Sequence, residues 1–201
     1  MLFGALDPPS MPNLELSIVD GERFPRHFSV TFVIENPGEQ EQVVIYIGDR
    51  QLGNRLRSHS YEEDDYRFHD VFHLANIAFL GWSPVFRDLM KRKRVSLADV
   101  REIEDGGRAQ IVEEAIIALM FQEAEGQGNF RSPEIIPFSL LKTIRRMVQP
   151  FQVRQCSAIQ WRLAIYEGLR VFERLREEGG GVVHVDMDKP SLTFESYKAD
   201  Y

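Results

Sequence analysis

The densest group of residues able to do chemistry is Tyr66-Arg67-Phe68-His69-Asp70-Val71-Phe72-His73. On a helix, His69 and His73 stand four positions apart, and Asp70 and His73 three. Either pair converges on one point beside the helix. Two imidazoles one turn apart are a common way to hold a transition metal. The competing reading makes them local packing and hydrogen-bonding residues. A second group is Glu104-Asp105-Gly106-Gly107-Arg108, followed by Glu113-Glu114. Successive helical residues point about 100° apart. At least one of Glu113 and Glu114 therefore faces the bundle interior or its edge. A carboxylate there needs a His, an Arg or a cation, and the helix carrying His69 and His73 can provide it. The competing reading is a surface pair on an amphipathic helix. Arg108 can meet a phosphate together with local amides, or it can pair with Glu104.

Other polar features read more plainly. The run Lys91-Arg92-Lys93-Arg94 and the pair Arg145-Arg146 are expected to be solvated helix ends. A phosphate-binding rim is the alternative. Cys156 has no second cysteine and no activating motif, so it is assigned no chemistry. Trp82 and Trp161 are read as core or interface aromatics.

The elements that must position these groups follow from periodicity. Phe28, Val30, Phe32 and Ile34 alternate with Ser29, Thr31 and Val33 as a strand. A turn at Asn36-Pro37-Gly38-Glu39 leads to a second strand at Val43–Ile47, closed by Gly48-Asp49. Glu62, Glu63, Asp64 and Asp65 precede a helix from about Tyr66 to Leu80, where acidic residues suit the dipole. Gly81 ends it. Ser83 caps the next helix, with Pro84 in its first turn. Further helices are expected from about Gly107 to Glu125, from Pro137 to Met147, and from Ser157 to Glu178. Gly179-Gly180-Gly181 terminates the last. Short strands at Val182–Val185 and Leu192–Phe194 follow. The expected fold class is α+β: a bundle of about five helices with a small antiparallel sheet built from N-terminal and C-terminal strands. Residues 1–22 are read as an irregular segment and 23–196 as one domain.

Composition narrows the function classes. With 201 residues, 43% apolar and 27% charged, the chain can bury a core without staples. A net charge of −7 argues against binding a nucleic-acid backbone or an anionic membrane. One cysteine excludes an internal disulfide framework and Cys₄ or Cys₂His₂ zinc sites, and suits a cytoplasmic setting. No secretory signal, membrane span, G-x-x-x-x-G-K-[ST] loop or G-x-G-x-x-G motif is present.

The stretch Tyr61 to Ala75 resembles the C-terminal accessory domain of MazG-type nucleotide pyrophosphohydrolases. So do Leu80-Gly81-Trp82-Ser83-Pro84-Val85, Lys91 to Arg94, Ile103 to Ala109, Val112 to Ile116, Leu140 to Ile144 and Gly180 to Val183. Together they cover about residues 23 to 195. In the usual arrangement this domain follows a separate all-helical catalytic domain, whose E-x-x-E and E-x-x-D carboxylates hold Mg²⁺ ions. Residues 1–22 are too short to supply that domain, so a free-standing chain is expected. Asp70-x-x-His73 stands where an acidic pair would be sought, and Glu114-x-x-Ile117 lacks its second carboxylate. Mg²⁺ prefers oxygen ligands, so imidazoles weigh against it.

Three readings remain open. The resemblance implies a nucleotide-binding or nucleotide-sensing protein that acts with a partner chain or as a homo-oligomer. As an alternative, it implies a divergent metal-dependent pyrophosphohydrolase giving monophosphate and pyrophosphate. There His69, Asp70 and Glu114 would be catalytic, and His69, Asp70, His73 and Glu114 would ligate Mg²⁺, Mn²⁺ or Zn²⁺. Arg67 and Arg108 would hold substrate. The third reading is a non-catalytic structural subunit.

Overall fold

A computed structural model of the chain describes residues 18–38, 41–58, 61, 64–126 and 130–196. Glu39, Glu62 and Glu63, which figure in the turn and helix-start readings, lie outside them, as do residues 1–17 of the N-terminal segment. One antiparallel sheet runs in the order β3-β2-β1-β4-β5, with β1 His27–Glu35, β2 Gln42–Ile47, β3 Arg50–Leu56, β4 Gly180–Asp186 and β5 Ser191–Glu195. The central strand β1 pairs Phe32 with Ile45 of β2 on one side and with Gly181 of β4 on the other. The N-terminal strands and the C-terminal strands are thereby stitched into one sheet, as the strand pattern predicts. Strand β3 was not expected. Only Leu52 of its seven residues is buried, so this edge strand has too little apolar alternation to be read from sequence.

Among the described residues there are six α-helices: α1 Asp70–Leu80, α2 Pro84–Leu89, α3 Ala98–Ile103, α4 Gly107–Glu125, α5 Phe138–Met147 and α6 Ala158–Glu178. The helix expected from Tyr66 begins as a 3₁₀ turn at Tyr66–Phe68, and α1 proper starts at Asp70. Helix α3 was also not expected, and it buries no residue. Ser83 caps α2 by accepting from the Phe86 amide. Ser157 and Gln160 form a reciprocal capping box on α6.

Helix α1 is buried along its whole length, which marks a helix covered on all sides. It packs against α6 and, with α6, against β4 and β5. The seam is narrow at Gly168, where an added Cβ would lie 2.8 Å from Phe72 Cδ1 and 3.2 Å from Ala75 Cβ. Phe72 in turn stacks on Phe172 at 5.6 Å. The glycine run after α6 does more than end it. Gly179 closes the helix in the left-handed region, and β4 already starts at Gly180. A Cβ on Gly180, at φ +121, would meet the Phe32 carbonyl oxygen at 2.5 Å.

The basic run departs from expectation. Helix α2 ends at Leu89, before the run begins. Arg94 is 3% exposed and grips Asp105 through Nη2 (2.6 Å) and Nε (3.1 Å), while its own amide donates to Asp105 Oδ2. Arg87 is also buried, lying 4.2 Å over the Phe24 ring. Its guanidinium pKa is pulled down to about 9, by burial first and by Arg94 second. Ion-pairing Arg94 inside satisfies the buried Asp105, a contact between residues eleven apart that local composition does not announce. Glu104 does not pair with Arg108. Its Oε1 accepts from the Gln152 amide at 2.9 Å, and its Oε2 is buried without a partner.

Two predictions follow from this packing. Gly168→Ala should lower stability by about 1–3 kcal/mol, although alanine is the better helix former by about 1 kcal/mol; urea unfolding measures it. The second concerns Glu104, whose carboxyl is raised chiefly by burial, partly offset by the Gln152 amide and Arg94. A raised acid costs the folded state where it is ionised and nothing where it is protonated in both states. The stability of E104Q relative to the parent should therefore rise as pH climbs above the ordinary carboxylate range. A flat difference would contradict the raised value.

Candidate metal centre

Helix α1 carries Asp70, His73 and Asn76 at intervals of three residues, and all three are buried. Helix α4 brings Glu113 and Glu114 to the same place. The two carboxylates, read together in sequence, take different jobs. Glu113 is fully buried and meets four donors on α1 and on the segment that starts α2. Its Oε1 lies 3.0 Å from His73 Nδ1 and accepts from Asn76 Nδ2 at 3.2 Å. Its Oε2 accepts from Ser83 Oγ and from the Val85 amide, both at 3.1 Å. Glu114 is 44% exposed at its side chain and forms the rim.

The imidazoles are oriented from behind. His69 Nδ1 lies 2.8 Å from the Tyr66 carbonyl oxygen, which can only accept. The Tyr66 ring stacks on the imidazole, 4.5 Å away and 7° from parallel. His73 Nδ1 faces Glu113 Oε1, somewhat off the line of an ideal hydrogen bond. In their neutral forms both rings thus keep the proton on Nδ1 and present a lone pair on Nε2. A carboxylate or carbonyl behind a ligating histidine is the usual support of a metal site.

Both Nε2 atoms point into one group. His73 Nε2 is 3.4 Å from Glu114 Oε1 and 3.8 Å from Asp70 Oδ1. His69 Nε2 is 3.9 Å from Asp70 Oδ1 and 3.8 Å from Glu114 Oε2. Ligand atoms of His69, Asp70 and His73 all lie within 4.8 Å of one another. Ordinary N–H···O bonds span about 2.7–3.2 Å, so these spacings are longer. Ligands about 2.0–2.1 Å from a tetrahedral ion lie about 3.3–3.4 Å from each other; the His73–Glu114 spacing matches this, and the other three are about 0.4–0.5 Å longer. His73 Nε2 is fully buried and makes no hydrogen bond, which is costly unless something satisfies it.

Electrostatics agree with the geometry. Burial alone would lower the His73 pKa, but Glu113 and Glu114 hold it well above the ordinary histidine value. Burial would raise the Glu114 pKa, yet His73 and His69 bring it below the ordinary carboxylate value. The Tyr66 phenol is pushed up to about 12 by burial and by the charges of Glu114 and Asp70. A proton and a cation are alternative ways to balance this group of carboxylates and imidazoles.

A family model described as the MazG C-terminal domain matches residues 10–198. The chain belongs to the MazG C-terminal domain family. The match opens at residue 10, inside the segment 1–22 read as irregular. No match was found among curated proteins or among solved structures.

In this MazG C-terminal domain, the residues singled out in sequence divide into two sets. His69, Asp70, His73 and Glu114 come together, with Glu113 behind them. Arg67 instead ion-pairs with Glu41 at 2.9 Å and Asp65 at 2.7 Å. Arg108 is exposed on the first turn of α4, about a turn and a half before Glu114 and about 120° around the helix. Sequence reasoning missed Tyr66, Asn76 and Ser83 as supports. Asn76 was the available signal: a polar residue one turn beyond His73 on an otherwise apolar helix.

Glu113→Ala should destabilise by about 3–5 kcal/mol, since it strips four buried donors of their acceptor. Glu114→Ala, at the rim, should cost less than about 1 kcal/mol. Equal costs in urea unfolding would remove the distinction between the two carboxylates.

Proposed function

We propose that this chain binds a divalent transition-metal ion on His69, Asp70, His73 and Glu114, and through it a nucleotide, as a nucleotide-binding or nucleotide-sensing protein acting with a partner chain. The observation that carries the reading is the pair of Nε2 atoms, each backed by an acceptor at Nδ1, facing the carboxylates of Asp70 and Glu114. Two imidazoles with two carboxylates suit Zn²⁺ or Mn²⁺ better than Mg²⁺, which favours oxygen ligands and near-ideal octahedral geometry. Such an ion would supply positive charge to draw phosphate oxygens. Family membership supports the nucleotide as its recipient. A shallow groove of about 340 Å³ borders Glu114, lined in part by Val85, Leu89 and Ile111. Ile111 is 70% exposed there, and an apolar rim beside a site suits a partner chain.

One observation favours a second reading, hydrolysis of a nucleoside triphosphate to monophosphate and pyrophosphate. The ionised Glu114 stands at the open side of the group, where a water and a phosphate chain can both arrive. Among the described residues no helix is long and apolar enough to cross a membrane.

The test is metal analysis after dialysis against Zn²⁺, Mn²⁺ or Mg²⁺. About one equivalent of Zn²⁺ or Mn²⁺ should remain per chain and little Mg²⁺, with the content lost in H73A and D70N. Equal metal content in parent and variants would overturn the metal centre and favour a structural subunit. With metal loaded, retention of a nucleoside triphosphate supports the sensor, and release of pyrophosphate supports the hydrolase.

A further inference from the structure

We infer that a second ligand site, separate from the metal centre, lies between α5 and the start of α6 and takes an aromatic phosphate of mononucleotide size. A cavity of about 600 Å³ opens there, within the usual range of small-molecule sites. Its walls are of two kinds. Leu141, Val148 and Trp161 form a buried apolar floor, and the Phe138 ring stands 72% exposed at the lip. Lys142, Arg145 and Arg154 border the same space.

The cations are the unusual part. None of the three forms an ion pair among the described residues. Arg154 donates to the Gln149 carbonyl and lowers the nearby Glu104 carboxyl through its charge, without pairing with it. By contrast, Arg67 pairs with Asp65, Arg94 with Asp105 and Arg170 with Glu167. On a chain of net charge −7, three unmatched cations around one apolar cavity form a local site of opposite sign. Their guanidinium and ammonium donors suit a phosphate monoester. The indole floor and the exposed phenyl lip suit a flat ring. The Gln155 side chain also lines the cavity and has no side-chain hydrogen bond among the described residues. Its amide can donate to and accept from a base edge.

The site lies away from His69 and His73. Helices α1 and α6 run antiparallel, with Phe72 beside Phe172 and the Leu80 carbonyl beside Cys156 Sγ. The cavity is therefore at the Leu80 end of α1, about 10 Å along the axis from His73. Cys156 itself is not the reacting group, because burial pushes its thiol up to about 12.

The experiment titrates the full chain, with EDTA present to strip metal, against AMP, GMP, CMP and UMP. Adenosine and inorganic phosphate are the control ligands. Trp161 fluorescence and calorimetry are the readouts. At least one mononucleotide should bind with a dissociation constant of roughly micromolar order, and adenosine and phosphate at least about tenfold more weakly. The exposed double variant K142E/R145E should weaken binding about tenfold or more at unchanged melting temperature. W161F should lose the fluorescence change and weaken calorimetric binding, and H73A should bind as the parent does. Absence of saturable binding at millimolar mononucleotide would overturn the inference. So would binding unaffected by the charge reversal, or phosphate alone binding as tightly as a nucleotide. Because the titration is metal-free and H73A is a control, its failure is distinct from failure of the metal centre.

Discussion

The arrangement of this molecule turns on a single buried carboxylate. Glu113 has no access to solvent, and it is held by His73, Asn76, Ser83 and the Val85 amide. A carboxylate in such a place is tolerable only when its acceptor sites are filled. Meeting that demand fixes α4 against α1 and against the first residues of α2. It also sets the rotation of α4 about its axis: with Glu113 inward, Glu114 must face the rim, about 100° around the axis. The position of the outer carboxylate is thus a consequence of the inner one.

The same interaction prepares the imidazoles. Glu113 behind Nδ1 of His73, and the Tyr66 carbonyl behind Nδ1 of His69, turn both Nε2 atoms toward Asp70 and Glu114. Stability and readiness are coupled here. The group that satisfies the core is the group that orients the ligand, as in the supporting shells of metal sites. The wider frame is rigid for an unrelated reason. Helix α1 is covered on every side, and its seam with α6 closes over Gly168 with no spare volume.

A second buried charge network does different work. Arg94 and Asp105, with Arg87 alongside on the Phe24 ring, tie the segment after α2 to the loop before α4. This connects the start of α4 to the rest of the domain and so helps to fix the helix that carries Glu113 and Glu114. The two networks explain how a chain with 27% charged residues commits several of them to its interior. Glu113 and Asp105 each meet donors within 3.2 Å.

Much of this was legible in the sequence. The period-2 run at Phe28–Ile34, the β-rich run at Val43–Ile47, the capped α2 and the long periodic α4 and α6 correspond to the structure, because their signals are local: β-rich runs, helical periodicity, caps and glycine stops. The His69-Asp70-His73 spacing on one helix was legible for the same reason. Edge strand β3 and helix α3 were not, since they bury too little for a periodic signal. The interior place of Arg94 was not legible either, because its partner belongs to another segment. Residue types and spacing alone determined which groups share a helix face and which family the chain resembles. Only the tertiary structure decided that Glu113 is the support and Glu114 the rim, since that choice depends on how α4 is rotated against α1, and rotation is set by contacts between residues some forty positions apart.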